Sequence, residues 1–221
     1  MIIWLILAFI SAAIELIAIS KNLHNLEYFA KPGVMVFLFL WLYTTTGLQG
    51  HMLWFGIGLV FSLLGDVFLL VPNDRMFIPG LVAFLFTHIC YLIGLQEQLL
   101  SPTVWSLMLM VVIVLSGIRL LRRIVSAMHA KDRHDLAKPV VFYGLVISLM
   151  LAAAMSTLSD TIWKAGAALL VSAGALLFWI SDLMLAWNKF VSPIQGGRIL
   201  IILAYHLGQI GIIAGVISQF S

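Results

Sequence analysis

Charge is scarce in this sequence. Only 10% of its 221 residues are Asp, Glu, Lys or Arg, against roughly a quarter in a soluble domain. That deficit excludes a soluble globular chain. With 63% hydrophobic residues and a mean hydropathy of +1.13, it points to an integral membrane protein built from helices. Cysteine is nearly missing too. Cys90 stands alone, which excludes an intramolecular disulfide and a thiolate metal centre. The sequence holds no phosphate-binding glycine loop, no dinucleotide fingerprint and no Ser-centred nucleophile elbow. No cofactor and no bound metal are therefore expected. No linker is long enough for a separate soluble domain, so residues 1–221 read as one transmembrane domain.

What the chain has instead is a series of apolar runs. Eight are expected to span a membrane: 2–19, 33–49, 53–71, 77–95, 102–121, 139–157, 162–187 and 198–218. The fold class is all-α, with eight transmembrane helices. The first run lacks the basic leader and small-residue cleavage site of a signal peptide, so it is expected as a span. Lys31-Pro32 and Lys138-Pro139 are expected to open the second and sixth helices, since proline suits a first helical turn.

The pI near 9.2 would suit nucleic acid, but the basic residues lie in short loops and read better as topology determinants; no nucleic-acid partner is expected. Of the 12 Lys and Arg residues, all except Lys164 fall in or beside the loops after spans one, three, five and seven. The positive-inside rule places those loops in the cytoplasm and both termini outside. An inner (plasma) membrane is the expected location.

The two halves, 1–98 and 99–221, echo each other. "FAKPGVMVF" at 29–37 is similar to "LAKPVVFYG" at 136–144, "SLLGDVFLL" at 62–70 to "FWISDLMLA" at 178–186, and His88 corresponds to His206. Each half has four spans, so the repeats would share one orientation about an axis along the membrane normal.

Of the nine acidic residues, Glu27, Asp74, Glu97, Asp132, Asp135 and Asp160 are expected in loops or at span edges, and Glu15, Asp66 and Asp182 inside spans. His88 and His206 are the two histidines inside spans. An acidic residue at the centre of a membrane helix costs roughly 2.5–3.5 kcal/mol and marks a functional interior. Helix depth places Asp66, Asp182, His88 and His206 in the cytoplasmic half, where one cavity can hold them, with Lys31 and Lys138 at its rim.

Lys31-Pro32, "LLGD" at 63–66, the run from Phe84 through Thr87-His88 to Tyr91, "FWISD" at 178–182 and "AYHLGQ" at 204–209 together resemble the YhhN-like lysoplasmalogenase family. The match runs in order over most of the chain. It implies an eight-span hydrolase that cleaves the vinyl ether bond of lysoplasmalogens to a fatty aldehyde and glycerophosphoethanolamine or glycerophosphocholine. The aspartates of its two motifs fall on Asp66 and Asp182, and its Tyr–Gln pair on Tyr205 and Gln209. His206, between them, departs from the usual pattern.

That chemistry needs an acid to protonate carbon and a carboxylate to steady the resulting oxocarbenium ion or activate water. Asp66 and Asp182 can divide those roles, with His88 and Tyr205 as catalytic partners. Lys31 and Lys138 are expected to hold the substrate phosphate, and Tyr91, His206 and Gln209 to contribute to lysophospholipid binding. Two other readings fit the same residues. Asp66, Asp182, His88 and His206 can be the ligands of a metal-dependent membrane hydrolase. Parallel repeats with buried Asp and His also suit a proton-coupled transporter.

Overall fold

A computed structural model of the chain describes residues 2–95 and 104–220. Glu97, the start of the fifth run at 102 and the division at 98/99 lie outside the described residues. The long elements are α1 (Ile2–Ser20), α2 (His24–Thr46), α3 (Met52–Leu70), α4 (Phe77–Gly94), α5 (Val104–Ala130), α6 (His134–Ser156), α7 (Ala165–Phe190) and α8 (Gly197–Phe220). No strand occurs among the described residues. This is what lipid demands, since a helix satisfies its backbone hydrogen bonds internally. By length and composition α1–α4 and α6–α8 qualify to cross a membrane. α5 is not in that set and carries Arg119, Arg122 and Arg123 in its C-terminal half. Large apolar side chains are exposed along α1 and along α5, among them Ile2, Ile6, Phe9, Val104, Trp105, Val111 and Leu115. A water-soluble chain does not carry such a surface.

Two expectations change here. α2 and α6 do not open at their Lys-Pro pairs but earlier, at His24 and His134, which leaves Pro32 and Pro139 inside the helices. Each proline deprives one carbonyl of its helical donor. The preceding turn survives because the connections before it are tight. Asn22 (φ 55°) and Asp132 (φ 56°) take left-handed conformations, which Asn and Asp tolerate. The Leu23 amide then donates to the Ala18 carbonyl, and the Arg133 amide to that of Met128. The second change follows from the first. Glu27, expected in a loop or at a span edge, lies in the first turn of α2 and is buried.

Within α1–α4 and within α5–α8 sequence neighbours pack against each other, and the halves meet where α4 lies on α6 and α8 on α1 and α2. α7 and α8 approach most closely. A Cβ on Gly208 would lie 2.8 Å from the Phe178 amide nitrogen, and one on Gly174 would meet the α8 backbone. Small residues let membrane helices reach this distance. The seam sets the register of Asp182 on α7 against Tyr205 on α8.

Candidate functional site

The small residue before each aspartate has a definite task. Gly65 leaves room for the Phe84 ring, which would lie 2.6 Å from a Cβ at that position. Ser181 donates from Oγ to the Ile201 carbonyl of α8, at 2.9 Å. Both contacts bring a neighbouring helix against the carboxylate-bearing one.

Asp66 is enclosed, its side chain 1% exposed. Lys31 Nζ stands 3.2 Å from Oδ1 as an ion pair, and the Tyr205 hydroxyl donates to Oδ2 at 2.8 Å. Because Tyr205 spends its hydrogen on Asp66, Ser62 must donate to Tyr205, at 2.8 Å. Gln209 Nε2 donates to Ser62 Oγ at 2.7 Å, and the Tyr91 hydroxyl to Gln209 Oε1 at 2.6 Å. The chain of donors thus runs Tyr91, Gln209, Ser62, Tyr205 and ends on a carboxylate, a group that only accepts when ionised. An ion pair plus a directed hydrogen bond is what a buried carboxylate needs to remain charged.

Asp182 is held differently. The Tyr143 hydroxyl makes a short hydrogen bond to Oδ2. His88 Nε2 lies 3.1 Å from the same oxygen and 2.9 Å from the Tyr143 hydroxyl. Oδ1 has no hydrogen bond among the described residues, and the side chain is 12% exposed. No lysine or arginine pairs with it among the described residues. The Phe178 ring packs against both His88 (centroids 4.6 Å apart) and Tyr205 (5.4 Å), and so stands between the two clusters.

Asp66 and Asp182 border one cavity of about 370 Å³, together with Lys31, Tyr205, Glu15 and the rim residues Lys189 and Arg198. Arg198 pairs closely with Glu27, and Lys189 Nζ sits 4.5 Å above the centre of the Phe77 ring. The end of the cavity nearest the α8 N-terminus therefore carries two basic side chains, Arg198 in an ion pair and Lys189 over an aromatic ring.

Not every residue singled out from the sequence reaches this cavity. Lys31 does line it, but as a buried residue rather than at the rim, because α2 begins earlier than its Lys-Pro pair. Lys138 is exposed on α6 and does not line the cavity; the same motif there faces outward. Tyr91 and Gln209 are fully buried behind Tyr205 and brace it rather than face the cavity. His206 is buried and bonded through Nε2 to Glu15. Tyr143, Glu15 and Ser62 belong to the site and were not singled out for it. A tyrosine in an apolar run looks like packing, Glu15 has no motif around it, and Ser62 sits in a motif dominated by its aspartate. Asp66, Asp182, His88 and His206 do not gather as one ligand set, and no group of three His, Cys, Asp or Glu side chains able to share a metal ion occurs among the described residues.

Comparison with known proteins adds an independent line. Lysoplasmalogenase TMEM86B of Homo sapiens is 29% identical over 177 residues, which cover 78% of this chain and 66% of that protein. Lysoplasmalogenase TMEM86A of Homo sapiens is 34% identical over 157 residues, covering 69% of this chain and 60% of that protein. Its Bos taurus counterpart is 30% identical over 155 residues, with coverage of 69% and 60%. The chain thus spans slightly under two thirds of the length of these relatives. No solved structure matches it significantly. The model of the YhhN family matches residues 26–216, from the first turn of α2 almost to the end of α8 and across both aspartate clusters, and the chain belongs to that family.

Proposed function

We propose that this protein is a membrane hydrolase that cleaves the vinyl ether bond of lysoplasmalogens. One observation carries the reading. Two carboxylates in unlike hydrogen-bonding environments border the same cavity inside an apolar helical bundle. The names of the relatives support the substrate class.

Asp182 is the acid. Its Oδ2 accepts from Tyr143 and His88, Oδ1 has no hydrogen bond among the described residues, and the residue lines the cavity, so in this reading a proton on Oδ1 passes to the outer vinyl carbon. The C=C electron pair forms the new C–H bond, and the carbon attached to oxygen becomes an oxocarbenium centre. Water adds there and gives up one proton, so the proton supplied is returned. The hemiacetal then breaks its other C–O bond, with the proton moving to the leaving glycerol oxygen. The sum is vinyl ether plus water to aldehyde plus alcohol. Asp66, fixed by Lys31 and Tyr205, supplies the negative charge that favours the cation, and Tyr205 at the cavity wall orients the water. Arg198 and Lys189 meet the phosphate in place of Lys138.

All eight helices span the membrane in this reading, α5 included, with both termini outside the cytoplasm and the cavity in the cytoplasmic half. The site also suits two repeats. Each aspartate takes one partner from the second helix of its own half, Lys31 or Tyr143, and one from the fourth helix of the other half, Tyr205 or His88.

Cleavage in D2O by purified protein tests the chemistry, with the aldehyde reduced by borohydride as it forms. The expected product carries one deuterium on the carbon next to the former carbonyl, and the saturated ether analogue stays intact. An aldehyde without that deuterium, equal cleavage of the saturated ether, or no aldehyde at all would overturn the proposal.

A further inference from the structure

A second, apolar groove lies between α5, α6 and α7, on another side of Asp182 from the polar cavity. It holds about 130 Å³ and ends at Asp182 and Tyr143. Asp182 therefore stands at the junction of two compartments, the polar cavity on one side and this groove on the other. We infer that the groove receives the hydrocarbon chain of the lysolipid next to its vinyl ether, an inference that rests on the cavity being the place of vinyl ether cleavage.

An amphiphile whose linkage is to be protonated at Asp182 must place its head and its chain in unlike surroundings on either side of that residue. Apart from Asp182, the polar side chains that line the groove are already engaged. Its one serine, Ser148, donates to the Gly144 carbonyl at 2.7 Å and accepts from Trp179 Nε1 at 3.2 Å. The Ser148–Trp179 bond ties α6 to α7 at the end away from Leu121. The space exists because Gly117 and Gly144 lack side chains. A Cβ on Gly117 would come no nearer than 3.6 Å to Ser148 Oγ, and one on Gly144 no nearer than 3.4 Å to the Leu121 side chain. Larger side chains at either position would occupy the groove.

The groove also communicates with lipid. Val114, Ile118 and Leu145 line it and are among the exposed apolar side chains of the molecule. A chain can enter sideways from the bilayer without crossing water. Along α5 the groove runs from Ile124 to Val114, ten residues or about 15 Å of helix, so it holds only the first part of a long chain and leaves the rest in lipid. Lipid and groove are equally apolar, so the contact adds little affinity. Its effect is to aim the vinyl ether at Asp182.

Two measurements test this. The first compares kcat/KM for a long-chain lysoplasmalogen and a butenyl analogue in wild type, Gly117→Leu and Gly144→Leu, with thermal unfolding in detergent to confirm folding. The long-to-short ratio is expected to fall about 10-fold or more in the folded variants, the scale of a steric misfit in an apolar pocket. An unchanged ratio would overturn the inference. The second uses the wild-type protein and a non-hydrolysable saturated ether lysolipid carrying a diazirine within the first third of its chain. Labels within 114–121 and 144–148 support the groove, and labels confined to α1–α3 overturn it. If wild type cleaves neither substrate, the hydrolase reading fails, and the photolabel still decides where the chain lies.

Discussion

Lys31 and Asp66 stand or fall together. Both are buried, and each is the charge that justifies the other. Removing one partner of a buried pair costs roughly 3–5 kcal/mol because the remaining charge is stranded, whereas replacing both with neutral groups of similar volume is close to neutral. Asp66→Asn and Lys31→Met are therefore each expected to lower the thermal unfolding midpoint in detergent, and the double variant to regain most of it while staying inactive. Additive losses in the double variant would mean that the two charges are not coupled. The positions of these groups were only partly legible in the sequence. Asp66, Asp182 and His88 stand out because an ionisable group in an apolar run is costly. The Lys31–Asp66 pair was hidden because it depends on α2 starting at His24, and proline had suggested a later start. Lys138 shows the limit of a repeated motif. The same Lys-Pro sequence recurs, but which way a side chain faces is set by how α6 rotates against its neighbours.

Among the elements, the α7–α8 seam is the part that positions chemistry without touching substrate. Gly208→Val would push Cβ into the α7 backbone at Phe178, whose ring lies between the two clusters. Overpacking of this kind costs typically about 1–3 kcal/mol, and the separation would also move Tyr205 away from Asp66. The expected outcome is a lower unfolding midpoint together with lower turnover. Ser181→Ala removes one interhelical hydrogen bond, worth about 0.6 kcal/mol on average in a membrane bundle, and is expected to change the midpoint little. If the two variants behave alike in an unfolding titration, close approach at the seam is not what holds these helices. The helices themselves were readable from apolar run length, and their ends shifted where the left-handed turns at Asn22 and Asp132 let α2 and α6 begin before their prolines. What run length does not show is closure. Glu15 and His206 are 191 residues apart, and they meet because α8 packs on α1.

For the molecule as a whole, charge placement and site position make one statement. Lys21, Arg75 and Lys131 lie at the same end of the bundle as the Lys189 and Arg198 rim of the cavity, and Lys164 lies at the other, where Nζ donates to the Ser218 carbonyl at 2.8 Å. Reporters fused at the N-terminus, before α1, and in the α5–α6 connection are expected on opposite faces of the membrane, the second in the cytoplasm. Finding both on one face would contradict an α5 that spans. Charge, hydropathy and the order of the motifs made the architecture readable. The proposed division of labour between the aspartates was not, because it rests on Tyr143, Arg198 and the two compartments that meet at Asp182. The most direct test of that division is aldehyde release from a lysoplasmalogen by purified wild type and Asp182→Asn at matched folded concentration. Asn keeps the size of the side chain and strands no cation, since none is paired with Asp182 among the described residues. The expected result is an unchanged unfolding midpoint with turnover reduced by about 10²–10⁴-fold, the scale of general acid catalysis. Turnover near that of wild type would contradict the mechanism.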